Sequence, residues 1–188
     1  MLLVHSGNRI DLVGRAAPRF PETQVPAVRA RVAKVLDSLR PRAVVSAAAA
    51  GADLVVLQEA IHRGIDVHVV LAIPAEQFVQ QSVVDSGPEW VRRFADVQRH
   101  VSTQAGCSLL EGNGAPDEEW YLAAHDQLLD RAEAVAHGEL IVALTVRPPT
   151  GETPASVTDE FASRAEHRGM LVLTVDPRPG SPQTATVT

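Results

Sequence analysis

The chain has 188 residues, 45% of them hydrophobic and 21% charged, which is enough apolar material for one domain with its own core and too much for a disordered chain. No apolar run approaches the roughly 18 residues that a membrane span needs, so no membrane association is expected. The net charge of -6 argues against a nucleic-acid-binding surface, and a lone cysteine, Cys107, allows no intrachain disulfide and suits a reducing cytoplasm.

The opening "MLLVHSGNRID" carries no basic leader and no cleavage-like site, so Leu2 to His5 is predicted as a first strand and not as part of a signal peptide. From Glu22 to Arg40, the residues Val25, Val28, Val32, Val35, Leu36 and Leu39 recur at threes and fours and make one apolar stripe on a helix. Ala43 to Ser46 reads as a strand, and Asp53 to Arg63 as a helix closed by Gly64. A third strand runs from Ile65 to Ile73 and stops at Pro74. Phe78 to His100 holds one or two helices, interrupted at "DSGPEW", because Gly87 and Pro88 cannot both continue a helix. Within it Trp90 and Phe94, four apart, suit a core face better than a base-stacking platform.

"CSLLE" is a fourth strand ahead of the turn-rich "GNGAPDEE". Tyr121, Ala124, Leu128, Ala132 and Val135 line the next helix, "ELIVALTV" is a fifth strand, Val157, Phe161 and Ala165 face one way on a last helix, and "MLVLTVD" is a sixth strand. The alternation predicts an α/β fold with an open, mostly parallel sheet, helices on both faces, and the first strand and the one at Ile141 in its centre. Residues 1–178 are expected to form one domain, and 179–188, rich in Pro, Ser and Thr, a flexible tail.

Sheets of this kind bind ligands beyond the carboxyl ends of their strands. Three strand ends carry polar or small residues. In the first, Gly7 permits a tight turn, Ser6 and Asn8 offer short hydrogen-bonding groups, and Arg9 is able to fork a phosphate or to pair with a surface acid. In the second, "SAAAAGAD", Ser46 ends a strand and Gly51, Ala52 and Asp53 open a helix. The small side chains there either let an anion approach the helix amides or let helix and sheet pack closely, with Asp53 as a cap. In the third, Thr145 to Glu160, the residues Gly151, Thr153, Ser156 and Thr158 are phosphate-friendly, while Glu152, Asp159 and Glu160 suit an acidic first helical turn. The seven histidines show no metal-ligand spacing with one another or with Cys107, and neither a metal nor a cofactor is expected.

Taken in order, "SGNRID", "SAAAAGADLVVLQEA", "HVVLAIP", "EWVRRF", "YLAAHDQLL", "ELIVAL" and "RGMLVLTVDP" resemble the SLOG superfamily, Rossmann-like proteins grouped with DprA and with the LOG phosphoribohydrolases. The resemblance reaches to about Pro177 and implies a doubly wound Rossmann-like domain. It places Ser6, Gly7, Asn8 and Arg9 in the first ligand loop, and Ser46, Gly51, Ala52, Asp53 and the helical Glu59 in the second. Either Gly151 to Thr153 or the region of Thr158 stands where relatives have G-G-T. The P-G-G-x-G-T-x-x-E signature of the LOG enzymes is missing, and alanines replace glycines in the second loop. The resemblance thus implies a cytoplasmic binder of a nucleotide or nucleotide-derived small molecule, a sensor or signalling module with a possible protein effector. The alternatives are a nucleoside-monophosphate N-glycosidase using Glu59, Asp53 or Glu160, and a degenerate fold kept for protein interaction. Self-association, as a homodimer or larger, is expected through the Val25–Leu36 stripe or the Trp90 and Phe94 face.

Overall fold

The computed structural model describes residues 1–114, 120–149, 156–181 and 185–187, with the side chain of Tyr121 left aside. In chain order the elements are β1 (Leu2–Gly7), α1 (Val25–Leu39), β2 (Ala43–Ser46), α2 (Ala52–His62), β3 (Asp66–Leu71), α3 (Ala75–Ser82), α4 (Pro88–Thr103), β4 (Ser108–Glu111), α5 (Trp120–Ala136), β5 (Ile141–Val146), α6 (Val157–His167), β6 (Leu171–Val175) and β7 (Thr186–Val187). The strands form one sheet in the order β4-β3-β2-β1-β5-β6-β7, parallel throughout except for β7, which pairs antiparallel with β6.

Strand β1 is in the middle, with β2 on one side and β5 on the other. Leu2 to Val4 of β1 and nearly all of β5 are apolar because helices cover the sheet on two faces. Leu3, Val44, Val69 and Leu144 point into the core under α1, α2 and α4, while Leu2, Val4, Ala43, Val45 and Ala143 point the other way against α5 and α6. The chain winds outward from β1 to β4, then crosses by α5 and returns to β5 on the other side of β1. That reversal of strand order is a topological switch point, where sheets of this architecture leave a crevice.

Local chemistry sets the boundaries. The helical pattern between Phe78 and His100 resolves into α3 and α4, with a 3₁₀ turn (Val84–Ser86) between them and Gly87 at φ 103° opening α4. The stripe Val25, Val28, Val32 and Leu36 and the pair Trp90 and Phe94 are buried inside the chain's own core, so neither is left over as an apolar surface. In the segment whose composition reads as a tail, Thr186 and Val187 carry the short β7, and the buried Arg31 of α1 donates to the carbonyl oxygens of Asp176 (2.6 Å) and Ser181 (3.2 Å). Among the described residues no helix is long and apolar enough to cross a membrane.

Candidate functional site

A cleft of about 240 Å³ opens above the carboxyl ends of β1, β2 and β3. Its floor comes from Ser6 and Gly7 at the end of β1 with Asn8 just after it, Ala47 and Ala49 after β2, Val70 of β3 and Ala72 just after it. Phe78 of α3 and Trp120, Ala124, His125 and Leu128 of α5 build an apolar wall, with Trp120 edge-on to Phe78 at 6.2 Å between ring centres. The first turn of α6, Ser156 to Thr158, closes another side, and Arg9, Arg15 and Arg19 stand among the lining residues.

The alanine-rich junction divides its work. Ala48, Ala50 and Ala52 are buried in the core, whereas Ala47 and Ala49 are half-buried and face the cleft. Close approach of backbone explains the glycines beside them. A side chain on Gly7 would come within 2.4 Å of the Ala52 Cβ. Gly51 has φ 127°, and a Cβ there would come within 2.5 Å of the Ile10 nitrogen and 2.7 Å of the Asn8 carbonyl oxygen. The amides of this junction are stitched to protein: Ala52 N–H donates to Asn8 O (3.1 Å), Ile10 N–H to Ala50 O (2.9 Å) and Ala50 N–H to Ser82 O (2.9 Å). Asp53 is not the N-cap of α2, a position held by Gly51; it sits in the first turn, where its Oδ2 accepts from Ala49 N–H (3.2 Å).

The N-terminus of α6 has the fuller design. Ser156 and Asp159 form a capping box, each side chain bonding the other's backbone N–H, and Asp159 also takes a 2.8 Å bond from the buried Arg147. Thr158 Oγ1 donates to Asn8 Oδ1 (3.2 Å), which ties the β1 loop to this helix and fixes the Asn8 carboxamide. Asn8 is only 7% exposed, lines the cleft, and its Nδ2 has no hydrogen-bond partner among the described residues.

Of the residues singled out from the sequence, the fold brings Ser6, Gly7, Asn8, Arg9 and Asp53 to one cleft and adds Ser156 and Thr158. Gly51 and Ala52 lie behind its wall as packing residues. Ser46 is fully buried at the end of β2, level with His5 and Val69 of the neighbouring strands. Glu59 lies on another side of α2, clasped by Arg29 and, at 2.5 Å, by Arg63, and does not line the cleft. Burial pushes its carboxyl up, but the hydrogen bonds and charges of the two arginines outweigh that and hold it below its ordinary range. Glu160 is exposed and pairs with Arg164 (3.0 Å). Thr153 lies outside the described residues. Arg9 pairs with Asp85 and reaches the Gln81 carbonyl (3.3 Å).

Phe78, Trp120, His125, Arg15 and Arg19 also line the cleft, and no motif in the sequence marks them. The two arginines lie in "RAAPRF", a segment held over the first strand's end by Asp11, whose Oδ2 accepts the N–H groups of Arg19 and Phe20, both at 2.8 Å. His125 sits one turn from Leu128 and Leu129 on the buried face of α5, a place where an ionisable side chain was the available signal. Burial and then the charge of Arg164 push it down to about 4, so the imidazole is neutral near pH 7.

A search of solved structures finds DNA processing protein A (DprA) from Streptococcus pneumoniae, with a TM-score of 0.57 and 16% sequence identity over 95% of this chain. The chain spans 50% of that protein's length. At this identity the likeness is one of fold, and it agrees with the α/β Rossmann-like architecture seen in the sheet order. No protein-family model and no curated protein matches the sequence.

Proposed function

We propose that the cleft binds a nucleotide or nucleotide-derived small molecule and that the domain acts as a ligand sensor or signalling module. The phosphate would lie against the first turn of α6, with the Asn8 carboxamide beneath it and the arginines around it. The observation that carries this reading is the Asn8 Nδ2 group: a buried amide donor without a partner among the described residues, held by Thr158 beside a helix N-terminus. Such an atom is costly unless something accepts from it, and a helix N-terminus favours an anionic acceptor. The apolar wall of Phe78 and Trp120 suits a flat ring, and the volume is near the lower end, roughly 300 Å³, of small-molecule sites. Of the three carboxylates considered for glycosidic cleavage, Asp53 alone lines the cleft, with Glu59 and Glu160 turned elsewhere, so binding is preferred over turnover.

Isothermal titration with adenosine monophosphate and with inorganic phosphate tests this. Both should bind, and Asn8→Ala, which keeps the backbone carbonyl that Ala52 needs, should weaken both by about threefold to tenfold. No binding of any nucleoside monophosphate at millimolar concentration, or an Asn8→Ala variant indistinguishable from the parent, overturns the proposal.

A further inference from the structure

Holding a phosphate at α6 leaves two buried polar side chains of the same cleft unused. His125 is 4% exposed and Asp53 5%, both line the cleft, and His125 Nδ1 and Asp53 Oδ1 have no hydrogen-bond partner among the described residues. Asp53 is fixed by its other oxygen, which accepts from Ala49 N–H, and His125 by edge-on packing against Phe161 at 5.5 Å. Behind Asp53 stands His5, fully buried. Its Nδ1 is 2.9 Å from the Leu144 carbonyl, which only accepts, so that nitrogen carries the proton and donates. His5 Nε2 is then 3.4 Å from Asp53 Oδ1 and no hydrogen bond joins them, so His5 leaves that oxygen's acceptor capacity unused.

The chemistry of these atoms narrows what belongs there. A second anion would be repelled by Asp53. A purely apolar group would leave both atoms unsatisfied in a buried wall. A neutral imidazole both donates and accepts, and a carboxyl oxygen accepts, so a short uncharged group with an O–H answers both. In a nucleotide the hydroxyls one ester link away from the phosphate are those of the sugar.

We propose that Asp53 and His125 form a subsite for the vicinal hydroxyls of a pentose, one hydroxyl donating to Asp53 Oδ1 and its neighbour pairing with His125 Nδ1. The proposal rests on the phosphate reading above and adds selectivity for ribose over deoxyribose. Titration of the full chain with inorganic phosphate, ribose 5-phosphate and 2-deoxyribose 5-phosphate separates the two. Ribose 5-phosphate should bind about tenfold more tightly than its 2-deoxy counterpart. Asp53→Asn or His125→Phe should bring that ratio close to one, while inorganic phosphate reports whether each variant has kept its fold and its anion seat. Equal affinity of the parent protein for the two sugar phosphates overturns the subsite and leaves the phosphate reading standing, and this comparison requires no variant. A ratio that persists in both variants overturns the assignment to these residues. Failure of all three compounds to bind overturns both readings together.

Discussion

At the scale of single residues, the small side chains after β2 illustrate how one sequence pattern serves two purposes. The run Ala47 to Ala50 alternates between cleft and core, and Gly51 is glycine because the β1 loop crosses directly over it. Replacing Gly51 with alanine should therefore act on the fold: the backbone stays in a region where a Cβ is strained, and that Cβ would meet backbone atoms unable to yield. The expected loss is roughly 1–3 kcal/mol from the conformation alone, read as a lower urea midpoint. A midpoint equal to that of the parent would show that the β1 loop is not held this closely.

His125 adds a pH signature at the same scale. Its ordinary value is 6.5 and the folded value about 4, so between those limits the unfolded chain takes up a proton that the folded chain refuses. Its contribution to stability is whole above about pH 6.5, shrinks as pH falls, and levels off near 4, for a total of at most about 3 kcal/mol. Arg164 reinforces the downward shift, while Asp53, Glu160 and Asp126 oppose it. His125→Phe should flatten the stability profile between pH 6.5 and 4 in chemical denaturation. An unchanged slope would show that the imidazole is already solvated in the folded state.

At the scale of elements, the strands were readable because burial on two faces leaves little but Val, Leu, Ile and Ala in them, and α1 and α4 because their apolar stripes repeat at helical spacing. The site was readable in part. The β1 loop stood out through Ser6 to Arg9, but nothing local to "SAAAAGAD" distinguished a ligand loop from a packing junction, since both demand small residues. The aromatic wall was hidden because Phe78 and Trp120 meet only after the crossover through α5. Glu59 misdirects for a related reason: an acid within an apolar helix resembles a functional group, yet here it joins α1 to α2 through Arg29 and Arg63. Glu59→Gln should destabilise the protein by about 1–3 kcal/mol, discounted from a fully buried pair because both arginines are partly exposed. It should leave phosphate affinity unchanged. A loss of phosphate binding at full stability would return Glu59 to the ligand site.

At the scale of the whole molecule, the sheet is a ladder whose middle rungs are covered on both faces and whose last rungs depend on what lies beside them. Strand β6 would be an outer edge but for β7, and the same stretch of chain supplies the Ser181 carbonyl to Arg31, a guanidinium only 2% exposed. A buried charge that loses an acceptor is costly, about 1.5–3 kcal/mol for a hydrogen bond of this type. Deleting residues 179–188 should thus lower the melting temperature by several degrees, at roughly 2–4 °C per kcal/mol for a chain of this size. The loss should be non-additive with Arg31→Met, which removes the charge and so much of the need for the acceptor. If the truncated protein melts with the parent, the segment contributes no stability. If the deletion costs as much in the Arg31→Met background as in the parent, its contribution comes from β7 alone and not from the buried arginine.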